Sequence, residues 1–331
     1  MTPLAERSAN SRICSGAAKP RNSWRGILSI AAAALFWGLS ASLGRAAFTG
    51  RLLPDAGIGR VDPLILSQCR ATFSCAVVAI VLLIARGSKV LRVGWPDFRK
   101  LFMLGLGGVV ASNYFYYLAV QRTTVGTAII LQYTAPVWVF LYMATRGRER
   151  FSLPKAGSVL LAVTGIALVI GVVGRGKMAL DPVGVTAALI AALSFSYYNI
   201  GGHDLVRRYD RWMVLFYTTL AASLFWIALN PPNRIFSAHY SSATWLFLAA
   251  FSFVSVLLPY TFYFAGLERL EPTRAVIASC LEPVFTILIA AITLKEGVGG
   301  VEGLGIVMVL AAILLAETRG HQTRPMAAPL E

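Results

Sequence analysis

Apolar stretches of about 20 residues recur ten times along the chain, at roughly 26–46, 63–85, 101–120, 124–143, 157–174, 182–202, 212–229, 244–266, 275–294 and 302–316. That is the length a helix needs to cross a ~30 Å hydrocarbon core. Short polar and basic segments separate them, leaving a basic head at 1–25, a tail at 317–331 and no loop long enough to fold by itself. The pattern predicts an all-α membrane protein of ten transmembrane helices. Two helix starts are marked by Asp62-Pro63 and Asp181-Pro182, where a carboxylate can cap the first turn and the proline lacks an N–H that would go unpaired there anyway. The first span follows Arg21 and Arg25 like a signal peptide, but nine further spans favour an uncleaved anchor.

Composition agrees with a membrane protein. Of 331 residues 57% are hydrophobic and 14% charged, against roughly 45–50% and about 25% in ordinary globular chains. The net charge of +15 acquires its meaning from where it sits. With a cytoplasmic N-terminus the inside segments carry 21 Lys and Arg and the outside segments 8, with Arg70 inside a span. The positive-inside bias therefore places both termini in the cytoplasm, and no basic patch is left over for nucleic acid. Cys14, Cys69, Cys75 and Cys280 show no CxxC spacing, which argues against a zinc site or a disulfide framework.

The chain also matches itself. Thr134-Ala135-Pro136-Val137 in the fourth span and Leu281-Glu282-Pro283-Val284 in the ninth are 147 residues apart, and that offset pairs Phe115 with Phe262, Tyr116 with Tyr263, Arg122 with Arg269 and Thr72 with Thr219. Between the first and sixth spans it becomes 159, pairing Phe36 with Phe195 across a longer 47–62 loop. The expectation is a duplicated five-helix unit, 26–174 and 182–316. Five being odd, the second copy enters from the opposite side, giving inverted repeats with a site near the midplane, which is transporter architecture.

With these features the chain resembles the EamA family of the drug/metabolite transporter superfamily over about 25–317. The resemblance is carried by Gln132-Tyr133-Thr134-Ala135-Pro136-Val137, the acidic-basic Glu149-Arg150, Asp181-Pro182-x-Gly184, and Glu282-Pro283-Val284 with Lys295-Glu296. The chain departs from the family at Gly147-Arg148-Glu149-Arg150 and Leu294-Lys295-Glu296, where Gly-Glu-Arg and Gly-Glu are usual. The resemblance implies a secondary carrier of small organic solutes in a bacterial inner membrane, often an exporter of amino acids and related metabolites.

Among single residues, Glu282 stands out. It is eighth in its span, about 10 Å deep, where a charge costs ~2.5–3.5 kcal/mol on the insertion scale. It reads either as a cavity carboxylate for a substrate amine or a coupling proton, or as a protonated acid bonding across helices. Pro136 and Pro283 free the carbonyls of Gln132 and Ser279 in mid-span, tolerable where they are buried in protein or line a cavity, so both are expected to break or kink their helices, either presenting those carbonyls to a ligand or shaping packing and gating. The Gln132 amide lies beside that break.

Trp37, in mid-span with Ser40 one turn on, fits a cavity wall or plain core packing. Asn113 with Tyr117, Ser194 with Tyr197, and Tyr260 with Tyr263 recur at helical spacing. An interfacial belt explains the tyrosines almost as well but has no use for Asn113 or Asn199. Arg70, roughly 10 Å into the second span, reads as a snorkelling cation or a partner for a substrate carboxylate. Arg148-Glu149, Lys295-Glu296 and the other loop basics read as interfacial charge.

Other classes fit less well. His203, His239 and His321 sit far apart in loops or the tail, so no metal cluster, and no metal or other cofactor, is expected. Neither GxSxG nor HExxH occurs, which speaks against a membrane enzyme. One buried acid between two broken helices suits a carrier better than a channel. Without a Walker A sequence the chain by itself is no ATP-driven pump. The expected partners are a small-molecule substrate, lipid and, through Glu282, a coupling proton.

Overall fold

In the computed structural model, Asp62 accepts hydrogen bonds from the N–H groups of Leu64 and Ile65 at 2.8 and 3.1 Å, and Asp181 accepts one from Gly184 at 2.9 Å. Each cap satisfies donors that a helix start leaves open, and each launches a long helix at the following proline. The structure describes residues 23–49, 60–87, 92–171, 181–294 and 299–318. Most of the basic head, the 50–59 segment, Lys295-Glu296, Cys14, His321 and the tail lie outside them.

The helices are α1 (Ser23–Thr49), α2 (Pro63–Arg86), α3 (Trp95–Arg122), α4 (Val125–Gln132 and Ala135–Thr145), α5 (Leu153–Val169), α6 (Pro182–Val206), α7 (Arg211–Leu229), α8 (Ser242–Leu267), α9 (Pro272–Ser279 and Leu281–Leu294) and α10 (Gly300–Thr318). A short helix, Pro232–Ser237, follows α7. Among the described residues there is no strand, and nine helices are long and apolar enough to cross a membrane. The exception is α5, apolar but 17 residues long, about 25 Å at 1.5 Å per residue. It starts at Leu153 rather than 157 because Ser152 caps it through the N–H of Lys155. Likewise α3 starts at Trp95 rather than 101, since its first turns are amphipathic and carry Asp97, Arg99 and Lys100.

Helix starts recur at fixed separations. Trp95 and Ser242 are 147 residues apart, as are Leu153 and Gly300, while Ser23 and Pro182 are 159 apart. The irregularities recur too. α3 contains a π-helical stretch at Gly105–Val110 and α8 one at Phe253–Leu257. α4 is interrupted at Tyr133-Thr134, and α9 at Cys280. Packing follows the same exchange: α1 lies along α8 and α6 along α3, while α2 pairs with α7 and α5 with α10. Swapping the first five helices for the last five maps this set of neighbours onto itself.

The α5–α10 pair is held by close backbone approach. A Cβ on Gly305 would lie 2.6 Å from both the Gly165 carbonyl oxygen and the Val169 nitrogen, so only glycine fits. Small residues at helix crossings are how apolar helices gain contact in lipid, where burial against a neighbour offers no hydrophobic gain. Gly305→Ala is expected to cost about 1–3 kcal/mol by overpacking, read as a lower melting temperature in detergent. Gly303, with nothing within 4 Å of a Cβ, should accept Ala with no loss, and an equal loss at both positions would contradict the packing argument.

Candidate functional site

The two broken helices bring the central polar groups together. At each break the proline cannot donate to the carbonyl four residues earlier, so Gln132 and Ser279 keep their C=O groups out of the helical ladder. Pro136 and Pro283 are both buried. Glu282 stands in the first turn after the α9 break, and the side chain of Tyr133, in the α4 break, lies beside its carboxyl. Tyr116 and Tyr260 lie within electrostatic reach of the same carboxyl. Gln132 donates from Nε2 to Ser112 Oγ at 3.2 Å. α1 packs tightly over this region, since a Cβ on Gly38 would sit 3.0 Å from the Thr286 nitrogen and 3.2 Å from the Glu282 carbonyl oxygen.

Trp37 of α1 forms one wall. Its ring meets Tyr263 at 5.1 Å between centroids and Tyr260, edge-on, at 5.5 Å. Tyr198 stacks on Tyr263 at 5.8 Å, with Phe195 beyond. Ser40 gives its hydroxyl to the Trp37 carbonyl at 2.8 Å, so it braces the helix beside the ring. Tyr263 and Asn199 are both fully buried and bonded to each other, and Asn199 Nδ2 donates to the Phe195 carbonyl. Those two positions fix the wall from behind. Tyr197 points the other way and is 46% exposed on the outer face of α6.

A third group adjoins. Arg70 of α2 donates through Nη2 to Asn113 Oδ1 at 2.9 Å and to the Tyr117 hydroxyl at 3.2 Å. Asn113 Nδ2 donates to Val109 O at 2.7 Å, a carbonyl of the π-helical stretch. Tyr260 of the aromatic wall lines the same cavity as Arg70 and Asn113, which links this group to the wall. Between α2, α3, α7 and α8 a cavity lined by Arg70, Asn113, Thr218, Thr219, Trp226 and Tyr260 holds space for roughly one water.

Of the residues singled out from sequence, Trp37, Arg70, Asn113, Tyr117, Gln132, Glu282 and Tyr263 converge on this region from six helices, with Asn199 behind and Tyr197 apart. Sequence reasoning passed over Tyr133 and Trp226. Tyr133 lies in the quoted Gln132–Val137 run and would have been found by asking which side chain the break releases. Trp226, 3% exposed, is near a span end and reads there as an interfacial ring.

The end of the bundle that holds Ser23 and Glu317 is laced with ion pairs. Lys155 Nζ lies 3.0 Å from Glu149 Oε2 and 2.7 Å from Glu271 Oε2, and Glu149 Oε1 accepts from the Thr273 N–H at 3.2 Å. Arg274 pairs with Glu317 and reaches Ser23, and Arg148 pairs with Asp204, whose hydrogen bond pushes the Arg148 guanidinium up. Interfacial charge describes Arg148 but not Glu149 or Lys155, which are 5% and 8% exposed. His203, expected in a loop, is in the last turn of α6 and bonds the Leu267 carbonyl at 2.9 Å. No His, Cys, Asp or Glu group able to hold a metal ion occurs among the described residues.

Known proteins resemble this chain along most of its length. The profile of the EamA-like transporter family matches residues 24–171 and again 182–318. An uncharacterized transporter of Archaeoglobus fulgidus is 24% identical over 79% of this chain and 87% of its own. The threonine/homoserine exporter RhtA of Salmonella typhimurium is 27% identical over 63% of this chain and 67% of its own. The aromatic amino acid exporter YddG of Ancylobacter novellus is 27% identical over 47% of this chain and 54% of its own. A solved crystal structure superposes with a TM-score of 0.71 at 21% identity, covering 90% of this chain and 99% of that one, a likeness of fold.

Proposed function

Because the chain belongs to the EamA-like transporter family, we propose that it is a secondary carrier exporting amino acids or related small metabolites by alternating access. It is a multi-pass membrane transporter rather than an enzyme. In our reading α5 serves as the tenth span, and the two sets of five helices are inverted repeats whose halves rock about the site between them. The exchange symmetry of the helix neighbours and the matched breaks support this. The ion pairs and most basic residues gather at the end holding Ser23 and Glu317, which supports cytoplasmic termini.

The observation that carries the function is Glu282 beside the α9 break, facing Tyr133 of the α4 break. An acid, freed backbone carbonyls and an aromatic wall, contributed by both halves, make a site for a small amine-bearing solute or a coupling proton. The names of the RhtA and YddG relatives favour amino acids.

The test is efflux from proteoliposomes loaded with pooled amino acids, amines, nucleosides or flavins, with and without a pH gradient. The amino acid pool is expected to leave faster than from protein-free vesicles. Efflux of a nucleoside or flavin pool alone would overturn the substrate class, and accumulation without efflux would reverse the direction.

A further inference from the structure

Arg70 is a cation placed inside the bundle without an acid to match it. Among the described residues no carboxylate forms an ion pair with it, and its two bonds, to Asn113 and Tyr117, both leave from Nη2. A guanidinium carries five N–H donors in a planar fork suited to a carboxylate. The remaining donors belong to a side chain that lines the cavity with Thr218, Thr219, Trp226 and Tyr260. That lining holds no acid. Thr218 and Thr219 donate their hydroxyls to carbonyls of their own helix, so Arg70 is the charged donor there.

An ionised group at this depth is costly unless something answers its charge. The opposite charge type is near: Tyr260, which lines the cavity with Arg70, lies within electrostatic reach of both Arg70 and Glu282. We infer that the Arg70 cavity takes the carboxylate of a zwitterionic substrate whose ammonium group turns toward Glu282, with Tyr260 between the two ends. The inference rests on the carrier reading and narrows it to free α-amino acids over their amides, esters or amines. The cavity, closed to about one water here, opens when the halves separate to admit the group.

Binding of threonine, leucine and phenylalanine to the purified full chain, each against its amide and its decarboxylated amine, tests this directly. Wild type is expected to prefer the free acids about 10- to 100-fold, the range for a charge-assisted, bidentate contact. Arg70→Gln should bring the acid down to the level of its amide, and Arg70→Lys, which keeps the charge but not the fork, should fall between. Equal binding of acid and amide by wild type, or a preference that survives in Arg70→Gln, would overturn the inference. The wild-type comparison needs no variant, so it stands even where Arg70→Gln does not fold. The carrier reading fails separately: acids and amides moving equally in proteoliposomes leave it intact, whereas a folded wild type that moves no compound of the panel overturns both.

Discussion

Glu282→Gln is expected to cut transport of amine-bearing substrates about 10- to 100-fold and to flatten its dependence on pH. Gln keeps the shape of Glu, and its carbonyl can still accept from the Tyr133 hydroxyl beside it. The break in α9 comes from Pro283, so it survives the change. What disappears is the capacity to carry a negative charge toward the site. A hydrogen bond to a charged group is worth about 1.5–3 kcal/mol, and each 1.4 kcal/mol is tenfold in affinity. The sign of the pH effect follows from competition. On the proposed role the carboxylate holds an ammonium ion and a proton competes for it, so wild-type binding is expected to weaken as pH falls, while the amide variant is indifferent. Rates measured across pH in matched proteoliposomes separate the roles. A variant as pH-dependent as wild type removes the proton role, and an unchanged rate removes the amine role as well.

How much of this was legible in the residues differs between fold and site. The spans were legible because hydrocarbon imposes a length and an apolar composition, and the Asp-Pro starts at 62–63 and 181–182 name their own caps. The breaks were legible because Pro136 and Pro283 cannot complete a helical ladder. Ends were harder, since amphipathic first turns such as Trp95–Lys100 and the Ser152 cap of α5 have no hydropathy signal.

In the site, Glu282 and Arg70 announce themselves by the cost of their charge in a membrane. Tyr133, Trp226 and Glu149 do not, because nothing local distinguishes a tyrosine or tryptophan that faces a cavity from one at an interface. A loop glutamate becomes buried only when α9 arrives to cover it. The π-helical stretches at Gly105–Val110 and Phe253–Leu257 belong to the same category. Their recurrence at matching places is visible in the backbone, while the sequences GLGGVV and FVSVL share little.

Removing one charge at the ion-paired end should have the largest effect on stability. The Glu149 side chain is 1% exposed and the Lys155 side chain 9%. In Lys155→Met the Glu149 carboxylate keeps the Thr273 N–H but loses its cation, and an uncompensated buried charge of this kind costs about 3–5 kcal/mol. The melting temperature of the purified chain in detergent should drop accordingly. Lys155→Met combined with Glu149→Gln should be milder than Lys155→Met alone, because the second change removes the orphaned charge. A double variant as unstable as the sum of its parts would contradict the pairing. These bonds join the α4–α5 segment and α5 to the start of α9, on opposite halves of the chain, so they stabilise the conformation in which these segments meet. Under the alternating access proposed above, a lock worth a few kcal/mol would set the balance between conformers, and losing it is expected to shift the population toward the form open at that end. Cys280, fully buried beside the α9 break, reports this shift. With the other cysteines changed to Ser, a water-soluble thiol reagent should label Cys280 faster in the Lys155→Met chain. A lowered melting temperature with unchanged labelling would make the cluster a structural clamp and no part of the gate.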